Sequence, residues 1–290
     1  MAVDTILYNA KIATNRLPAF VEAVAITGGT ISATGTDEEI LRLRGPMTTV
    51  IDGKRRTVIP GLNDSHMHPI RGGLNFNLEL RWDGVPSLAD ALRMLKEQAA
   101  RTPAPQWVRV VGGWTEFQFA ERRMPTLDEI NSVSPDTPVF VMHLYDRVFL
   151  NRAALRAVGY TKDTPNPPGG EIQRDKQGNP TGLLLAKPNA NILYSTLAKG
   201  PKLSREDQLN SSRLFFRELN RFGITSAIDA GGGFQNYPDD YGVVNELHKK
   251  GELSIRLAYN LFTQKPKQEL ADFQNWTKMT KPGEDRKSVV

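Results

Sequence analysis

Two histidines one residue apart, His66 and His68, are the residues whose type and spacing point most directly to chemistry. They follow a short apolar run, Thr57 to Ile59, and a Pro60-Gly61 step. Side chains two residues apart in a β-strand lie on the same face, so two imidazoles at the end of a strand can bind one cation. Neutral imidazole suits zinc and related divalent metals, and a catalytic site keeps a coordination position open for water. The pattern predicts part of a metal site.

The other two histidines have simpler explanations. His143 lies in the apolar run 139–144, where a buried histidine with a hydrogen-bond partner is favoured over a metal ligand. His248 lies near the end of a predicted helix, where the helix dipole accounts for it. The chain has no cysteine, so a metal must be held by histidine, carboxylate or modified lysine.

Four further residues are candidates for a pocket or for contacts behind the ligands. Asp64 shares the strand face of His66, although a bond to nearby backbone groups explains it equally well. Asp229 ends a predicted strand, where it either contacts substrate or caps a turn. Trp114 and Glu116 could line a pocket, but a core tryptophan and a solvated carboxylate are the favoured alternatives.

Composition and charge narrow the class of protein. The 290 residues are 39% hydrophobic and 24% charged, which suits one large globular domain or two modest ones. The net charge of +5 comes from scattered basic residues without a nucleic-acid-reading motif, so nucleic acid is not an expected partner. No signal peptide precedes the first strand, and no apolar run reaches the roughly 18 residues that span a bilayer. We expect a cytoplasmic protein with no membrane partner.

Hydrophobic periodicity divides the chain into regions of different pattern. Residues 1–56 contain short strands, with a hairpin predicted at Gly28-Gly29. Residues 70–200 mix strands and helices, with helices predicted to begin at Ser87 and Thr126, and are predicted to form an inserted α/β subdomain. Residues 201–283 alternate regularly, which predicts crossover helices between parallel strands. Their predicted elements are a helix over Ser204–Phe222, a strand over Ile224–Ala230, a helix over Tyr241–Lys250, a strand over Leu253–Phe262 and a helix over Pro266–Trp276.

The segment Thr57 to Pro69, TVIPGLNDSHMHP, resembles the first barrel strand of the amidohydrolase superfamily. Other segments narrow the resemblance to amidohydrolase family 3, the YtcJ-like metal-dependent hydrolases, a group that includes a deformylase of N-substituted formamides. These segments are Gly112 to Glu116, Met124 to Asp128, Ser134 to Phe140, Asn151 to Leu155, Pro180 to Leu184 and Gly223 to Ser226. They follow the family order over nearly all of residues 3–280.

The resemblance implies an α/β fold with a partial TIM-like (β/α)8 metal-dependent hydrolase barrel. A complete barrel takes about 250 residues before insertions, so only about three β/α units fit here. The implied layout is an N-terminal small β-sandwich domain over 1–56, the first barrel strand over 57–69, the inserted α/β subdomain over 70–200, barrel units over 201–283, and a polar tail outside the family pattern over 284–290. We therefore expect a chain that is C-terminally truncated relative to the family.

By the same resemblance, the function is hydrolysis of carbon-nitrogen bonds other than peptide bonds, in small amide-like or formamide-like substrates. His66 and His68 would bind a divalent metal, with zinc as the expected ion and one or two ions bound, and the general base is expected beyond the chain end. The alternative is a catalytically incompetent fragment with at most a binding role. Whether the chain forms a homo-oligomer stays open.

Overall fold

The protein is described by a computed structural model that covers residues 3–232, 235–263 and 267–279. The strands are β1 (Thr5–Tyr8), β2 (Lys11–Ala13), β3 (Phe20–Val21), β4 (Ala23–Thr27), β5 (Thr30–Gly35), β6 (Thr49–Asp52), β7 (Thr57–Val58), β8 (Leu62–Met67), β9 (Val108–Val111), β10 (Val139–His143), β11 (Arg147–Leu150), β12 (Gly170–Arg174), β13 (Pro180–Ala186), β14 (Ile224–Asp229) and β15 (Arg256–Tyr259). The helices are α1 (Asp37–Leu41), α2 (Pro69–Asn75), α3 (Leu88–Arg101), α4 (Leu127–Val133), α5 (Arg152–Val158), α6 (Asn191–Leu197), α7 (Arg205–Arg221), α8 (Gly242–Lys249) and α9 (Glu269–Trp276).

The described residues form two compact units, of which the first contains those up to Asn63 together with Gly223–Ser226. It holds a four-stranded sheet in the order β5-β4-β1-β6 and a three-stranded sheet in the order β3-β2-β7. Gly28 and Gly29 have φ of 57° and 74° and turn β4 into β5, which confirms the predicted hairpin. Ile6, Ala23 and Ala25 are fully buried at the centre of the larger sheet.

The Pro60-Gly61 step divides what the sequence predicts as one strand. The short strand β7 pairs with β2, whereas β8 begins two residues beyond Pro60. A side chain at Gly61 is excluded, because its Cβ would lie 2.2 Å from Thr225 Oγ1. The next residue, Leu62, donates its N–H to Gly223 O at 2.8 Å. This close approach lets the chain enter β8 beside the start of β14.

The second unit contains Asp64–Phe222 and the described residues from Ala227 onward. Its largest sheet has five strands in the order β12-β13-β11-β10-β9. β9 and β10 are parallel, and the other neighbouring pairs are antiparallel. This mixed sheet lies within residues 70–200, where the sequence predicts an α/β subdomain.

Helices cover both faces of the five-stranded sheet, as strand β10 shows. Val139 and Val141 pack on one face with residues of α3 and α4, whereas Phe140 and Met142 pack on the other with residues of α5 and α6. The period-2 alternation of side chains in a strand explains why successive residues enter different cores. Because both faces are buried, the strand is apolar from Val139 to Met142 and only its last residue, His143, is polar, as expected for a sheet between two helix layers.

A separate sheet of three strands, in the order β15-β14-β8, carries His66 on β8. β14 ends one residue before the strand predicted over Ile224–Ala230, and its Ile228 is 39% exposed. The buried side chains of β14 are those of Ala227 and Asp229, on the other face. Within the described residues, β8 and β15 are the edges of this sheet.

Helix α2 is absent from the sequence-based prediction, and its glycines explain both the omission and the packing. Gly72 and Gly73 lower helix propensity. They also let α2 approach α7 closely, since a Cβ at Gly72 would lie 2.8 Å from the Phe215 ring. Ser211 of α7 donates its hydroxyl to Gly73 O at 2.7 Å. Packing on a neighbour therefore stabilises a seven-residue helix that is weak by itself.

The predicted helix starts at Ser87, Thr126 and Ser204 are confirmed. Each side chain accepts a hydrogen bond from the backbone N–H three residues later and so caps its helix. The last two predicted elements, β15 and α9, are shorter than expected. In the part of the chain that the structure describes, no helix combines the length and the apolarity that membrane crossing needs.

Replacing Gly61 by alanine should lower the free energy of unfolding. Overpacking costs about 1–3 kcal/mol, more than the roughly 0.4–1 kcal/mol gained when alanine restricts the unfolded chain. Gly45→Ala is the matched control, because the nearest atom to its Cβ would be 3.7 Å away. Urea denaturation of both variants measures the difference. In a Thr225→Gly background, which removes the contacted atoms, most of the cost should disappear; equal effects at Gly45 and Gly61 would contradict this packing.

Candidate metal centre and adjoining cavity

His66 and His68 lie where β8 ends and α2 begins. His66 is exposed in the strand, and His68 is the partly buried residue immediately before Pro69, the first residue of α2. Their ring centroids are 5.8 Å apart, with the rings inclined at 77°. The two imidazoles are thus adjacent, as the His-x-His spacing predicts.

The residues present suit two ligands of a metal site and not a complete one. Two imidazole nitrogens are a donor pair that zinc accepts, but a catalytic zinc takes at least three protein ligands. Among residues 3–232, 235–263 and 267–279, no group of three or more His, Cys, Asp or Glu residues is placed to hold a metal ion. The His, Cys, Asp and Glu side chains of these described residues thus supply an incomplete ligand set.

Asp229 is fully buried at the end of β14 and bonds to the backbone next to the histidines. Its Oδ2 accepts the N–H of Ile70 at 2.9 Å, and its Oδ1 accepts the N–H of Gly231 at 2.7 Å. Ile70 is the second residue of α2, two residues after His68. Asp229 therefore holds the start of α2, and with it the backbone that carries His68.

Asp64 makes a local contact. Its Oδ1 accepts the N–H of His66 at 2.9 Å, which is the backbone role that the sequence left open beside a functional one. The structure thus places His66, His68 and Asp229 at the adjacent ends of β8 and β14, whereas Asp64 lies within β8.

Trp114 and Glu116 belong to a different cluster. Trp114 is 1% exposed, donates its Nε1–H to Met142 O at 2.9 Å, and packs edge-on against His143 with ring centroids 5.1 Å apart. Glu116 Oε2 lies 3.0 Å from His143 Nε2, at ion-pair distance but without hydrogen-bond geometry. Trp114 is therefore a core residue, and Glu116 is a paired carboxylate where a solvated one was favoured.

The buried His143 has a carboxylate next to each ring nitrogen. Its Nδ1 lies 2.9 Å from Asp146 Oδ1, opposite Glu116. Burial opposes ionisation of Asp146, but hydrogen bonds from His143 and Arg147 outweigh it and lower the pKa of that carboxyl. His143 thus has structural partners, which supports the non-ligand interpretation of this histidine.

A cavity of about 270 Å³ adjoins His68. It lies between α2 and the end of the five-stranded sheet that contains β9 and β10. Its charged lining residues are Arg71, Glu79 and Arg109, and the rest of the lining is polar or apolar: His68, Gly72, Asn75, Val111, Gly112, Gly113, Met142, Leu144, Tyr145, Tyr194 and Leu197.

Sequence reasoning missed the three charged lining residues. A signal existed for Arg109, because a charge inside the apolar run Trp107–Val111 is unusual for a buried strand. Arg109 is 5% exposed; its guanidinium donates to Pro201 O at 2.7 Å, and burial lowers its pKa. Burial raises the pKa of the Glu79 carboxyl to about 7, although Arg81 lies 2.9 Å away.

Comparison with known sequences finds relatives along most of the chain. It is 31% identical over 233 residues to the N-substituted formamide deformylase of Arthrobacter pascens, a match that covers 78% of this chain and 42% of the relative. It is 34% identical over 174 residues to the YtcJ protein of Bacillus subtilis (strain 168), covering 59% and 32%. It is 30% identical over 245 residues to the LONG AFTER FAR-RED 3 protein of Arabidopsis thaliana, covering 83% and 40%. The chain thus spans less than half the length of each.

Among solved structures, the chain is similar to uncharacterized metal-dependent hydrolases from Pyrococcus horikoshii and Pyrococcus furiosus. Both give a TM-score of 0.62 over 94% of this chain, at 19% and 18% identity, and cover 50% and 52% of the respective structures. At that identity the likeness concerns the fold, and it confirms a mixed α/β architecture.

A family model matches residues 49–289, which is most of the chain. The match includes residues 284–289, most of the segment that the sequence sets apart as a polar tail; that segment lies outside the described residues. The motif series and this match agree, and the chain belongs to the amidohydrolase family.

Proposed function

We propose that this chain is part of a metal-dependent hydrolase that cleaves carbon-nitrogen bonds other than peptide bonds in small amide-like or formamide-like molecules. The observation that carries the proposal is the adjacent His66 and His68 pair at the end of β8, in a member of the amidohydrolase family. A divalent metal, with zinc as the expected ion and one or two ions bound, supplies a Lewis acid and a water of lowered pKa.

The residues of the chain have separate tasks in this proposal. His66 and His68 hold the metal. Asp64 orients the backbone of His66, and Asp229 orients the backbone that follows His68. The cavity beside His68 binds and orients the substrate. The remaining ligands and the general base are supplied from outside the described residues.

The fold supports a barrel interpretation of this site. In this interpretation β8 with α7, β14 with α8, and β15 with α9 would be the three β/α units of a partial TIM-like barrel. The predicted α/β subdomain over 70–200 would then be inserted between β8 and α7, with α2 at its start. Active sites of such barrels lie at the C-terminal ends of strands, where His66, His68 and Asp229 are found. A cytoplasmic location and a homo-oligomer stay predictions.

A second candidate is a catalytically incompetent polypeptide that binds metal or substrate without turnover. The incomplete ligand set within the described residues favours it for the 290-residue chain. Hydrolysis of a panel of formamides and amides by the purified chain with Zn²⁺ discriminates the two. Turnover that depends on His66 supports the hydrolase, and binding without turnover supports the second candidate.

His66→Ala and His68→Ala should each weaken Zn²⁺ binding by at least about tenfold, because even the outer partners of metal ligands contribute that much. Competition with a chromogenic chelator measures the affinity. His248→Ala is the matched control, since this exposed histidine lies in the last turn of α8. Unchanged affinity in both His66 and His68 variants would refute the ligand assignment.

Asp229→Asn should lower the free energy of unfolding by about 1–3 kcal/mol, because the amide presents an N–H to one of two buried N–H donors. It should also weaken Zn²⁺ binding about 10- to 100-fold, as expected for a residue that orients a ligand. Chelator competition at a temperature where circular dichroism shows the variant folded separates the two effects. Asp128→Asn, at an exposed carboxylate, is the control. If the variant lost stability but kept its Zn²⁺ affinity, Asp229 would have only a structural role and would not orient a metal ligand.

A further inference from the structure

The cavity beside His68 has a charged part and an apolar part. Arg71 and Arg109 line it from α2 and β9, while the walls formed by Val111, Met142, Leu144 and Leu197 are apolar. Ligand sites commonly combine apolar walls with a few converging polar groups. The chemistry of those polar groups indicates which ligand group is bound.

Arg109 has unused hydrogen-bonding capacity where water has little access. Its Nε is buried and has no hydrogen-bond partner among the described residues, although its Nη2 donates to Pro201 O. Buried polar groups are nearly always paired, and a buried donor without a partner destabilises the protein. Because Nε is itself closed to solvent, an acceptor in the cavity would meet the other N–H groups of this lining residue.

Arg71 brings a second positive charge to the same cavity. Its guanidinium carbon lies 5.5 Å from the centroid of the Tyr194 ring. A cation–π contact of this kind orients a guanidinium without neutralising its charge. Two guanidinium groups with a planar fork of donors match the geometry of a carboxylate.

The carboxylate of the cavity, Glu79, does not balance these charges. It forms an ion pair with Arg81, which is not among the lining residues. The charges that act on Glu79 are those of Arg71, Arg81 and Arg109 on one side and Asp83 on the other. The surroundings thus carry an excess of positive charge, which favours an anionic ligand group.

We propose that this cavity binds the carboxylate of the substrate, with Arg71 and Arg109 as its partners and the apolar walls around the substrate body. The substrates would be amides that also carry a free carboxylate and an apolar or aromatic group. That the bound molecule is a substrate rests on the proposed hydrolase function. Binding of the carboxylate itself needs no metal.

Isothermal titration calorimetry tests the site with phenylacetate and its neutral analogue phenylacetamide. The 290-residue chain is first stripped of metal with a chelator and dialysed, so that a bound metal cannot attract the anion. Phenylacetate should bind at least about tenfold more tightly than phenylacetamide, as expected for charge-assisted hydrogen bonds. Inorganic phosphate should compete poorly, because the apolar walls add nothing to its binding.

Arg71→Gln should weaken phenylacetate binding about tenfold or more and leave phenylacetamide binding unchanged. Arg93→Gln is the matched control, because this exposed arginine of α3 pairs with Asp90 and Glu97 away from the cavity lining. Arg109→Lys keeps the buried charge and removes the fork, so it should weaken binding while the chain stays folded, as circular dichroism can verify. Arg71→Gln thus tests the site even where a change at Arg109 unfolds the chain.

Affinity for phenylacetate should also rise as the pH falls from about 8.5 to about 6. The pKa of Glu79 is raised to about 7, so its negative charge is lost over this range while phenylacetate stays ionised. In a His68→Ala background, which removes the histidine of the cavity lining, Glu79→Gln should bind with the low-pH affinity throughout and show little of this dependence. A pH dependence that persists unchanged in Glu79→Gln in that background would overturn the place of Glu79 beside the bound carboxylate.

Equal binding of phenylacetate and phenylacetamide, or phosphate competing as well as phenylacetate, would overturn the carboxylate site. These outcomes are independent of the metal experiments, because the chain is titrated without metal. If the His66 and His68 variants bound Zn²⁺ as tightly as the unchanged chain while phenylacetate binding was intact, the proposed hydrolase function would be refuted and the carboxylate site would stand.

Discussion

The candidate site depends on the hydrogen bonds that one buried carboxylate, that of Asp229, accepts from the backbone. This carboxylate joins the end of β14 to the start of α2, across 159 positions of the chain, through hydrogen bonds from two backbone N–H groups. A fully buried carboxylate is costly unless it is well paired, and two N–H donors supply that pairing. Because α2 begins directly after His68, the bond from Ile70 holds the backbone that follows this histidine.

The close contact between α2 and α7 makes this arrangement possible. Gly72 and Gly73 present no side chain to α7, so the two helices approach until Ser211 reaches the carbonyl of Gly73. The same helix faces the cavity with Arg71. A short helix of low propensity thus connects the histidine pair to the cavity, and tertiary packing supplies the stability that its sequence lacks.

Two charged residues beside the cavity, Arg109 and Glu79, are largely buried. Arg109 lies within an apolar strand, and Glu79 is next to it because Leu80 donates its N–H to Arg109 O at 2.7 Å. Burial disfavours the charged form of both groups, which is why the pKa of the arginine is lowered and that of the carboxyl is raised. Perturbed groups that line a cavity beside candidate ligands are typical of a functional site. His143 is also buried, but it lies in the core, where Trp114 packs against the imidazole, and its partner Glu116 is only half-buried.

The sequence by itself determined the family, the positions of most strands and helices, and the histidine pair. The family is indicated by the series of motifs that resembles it, whereas the elements and the histidine pair depend on local signals: the period of apolar residues, the caps at Ser87 and Ser204, and the spacing of His66 and His68. Only the tertiary structure decided that the strand predicted over 57–69 divides at Pro60-Gly61 and that α2 forms. It also decided that Trp114 is core and Asp229 a backbone partner, and that Arg71, Glu79 and Arg109 meet at one cavity. These outcomes depend on contacts between residues far apart in the chain, about which local periodicity carries no information.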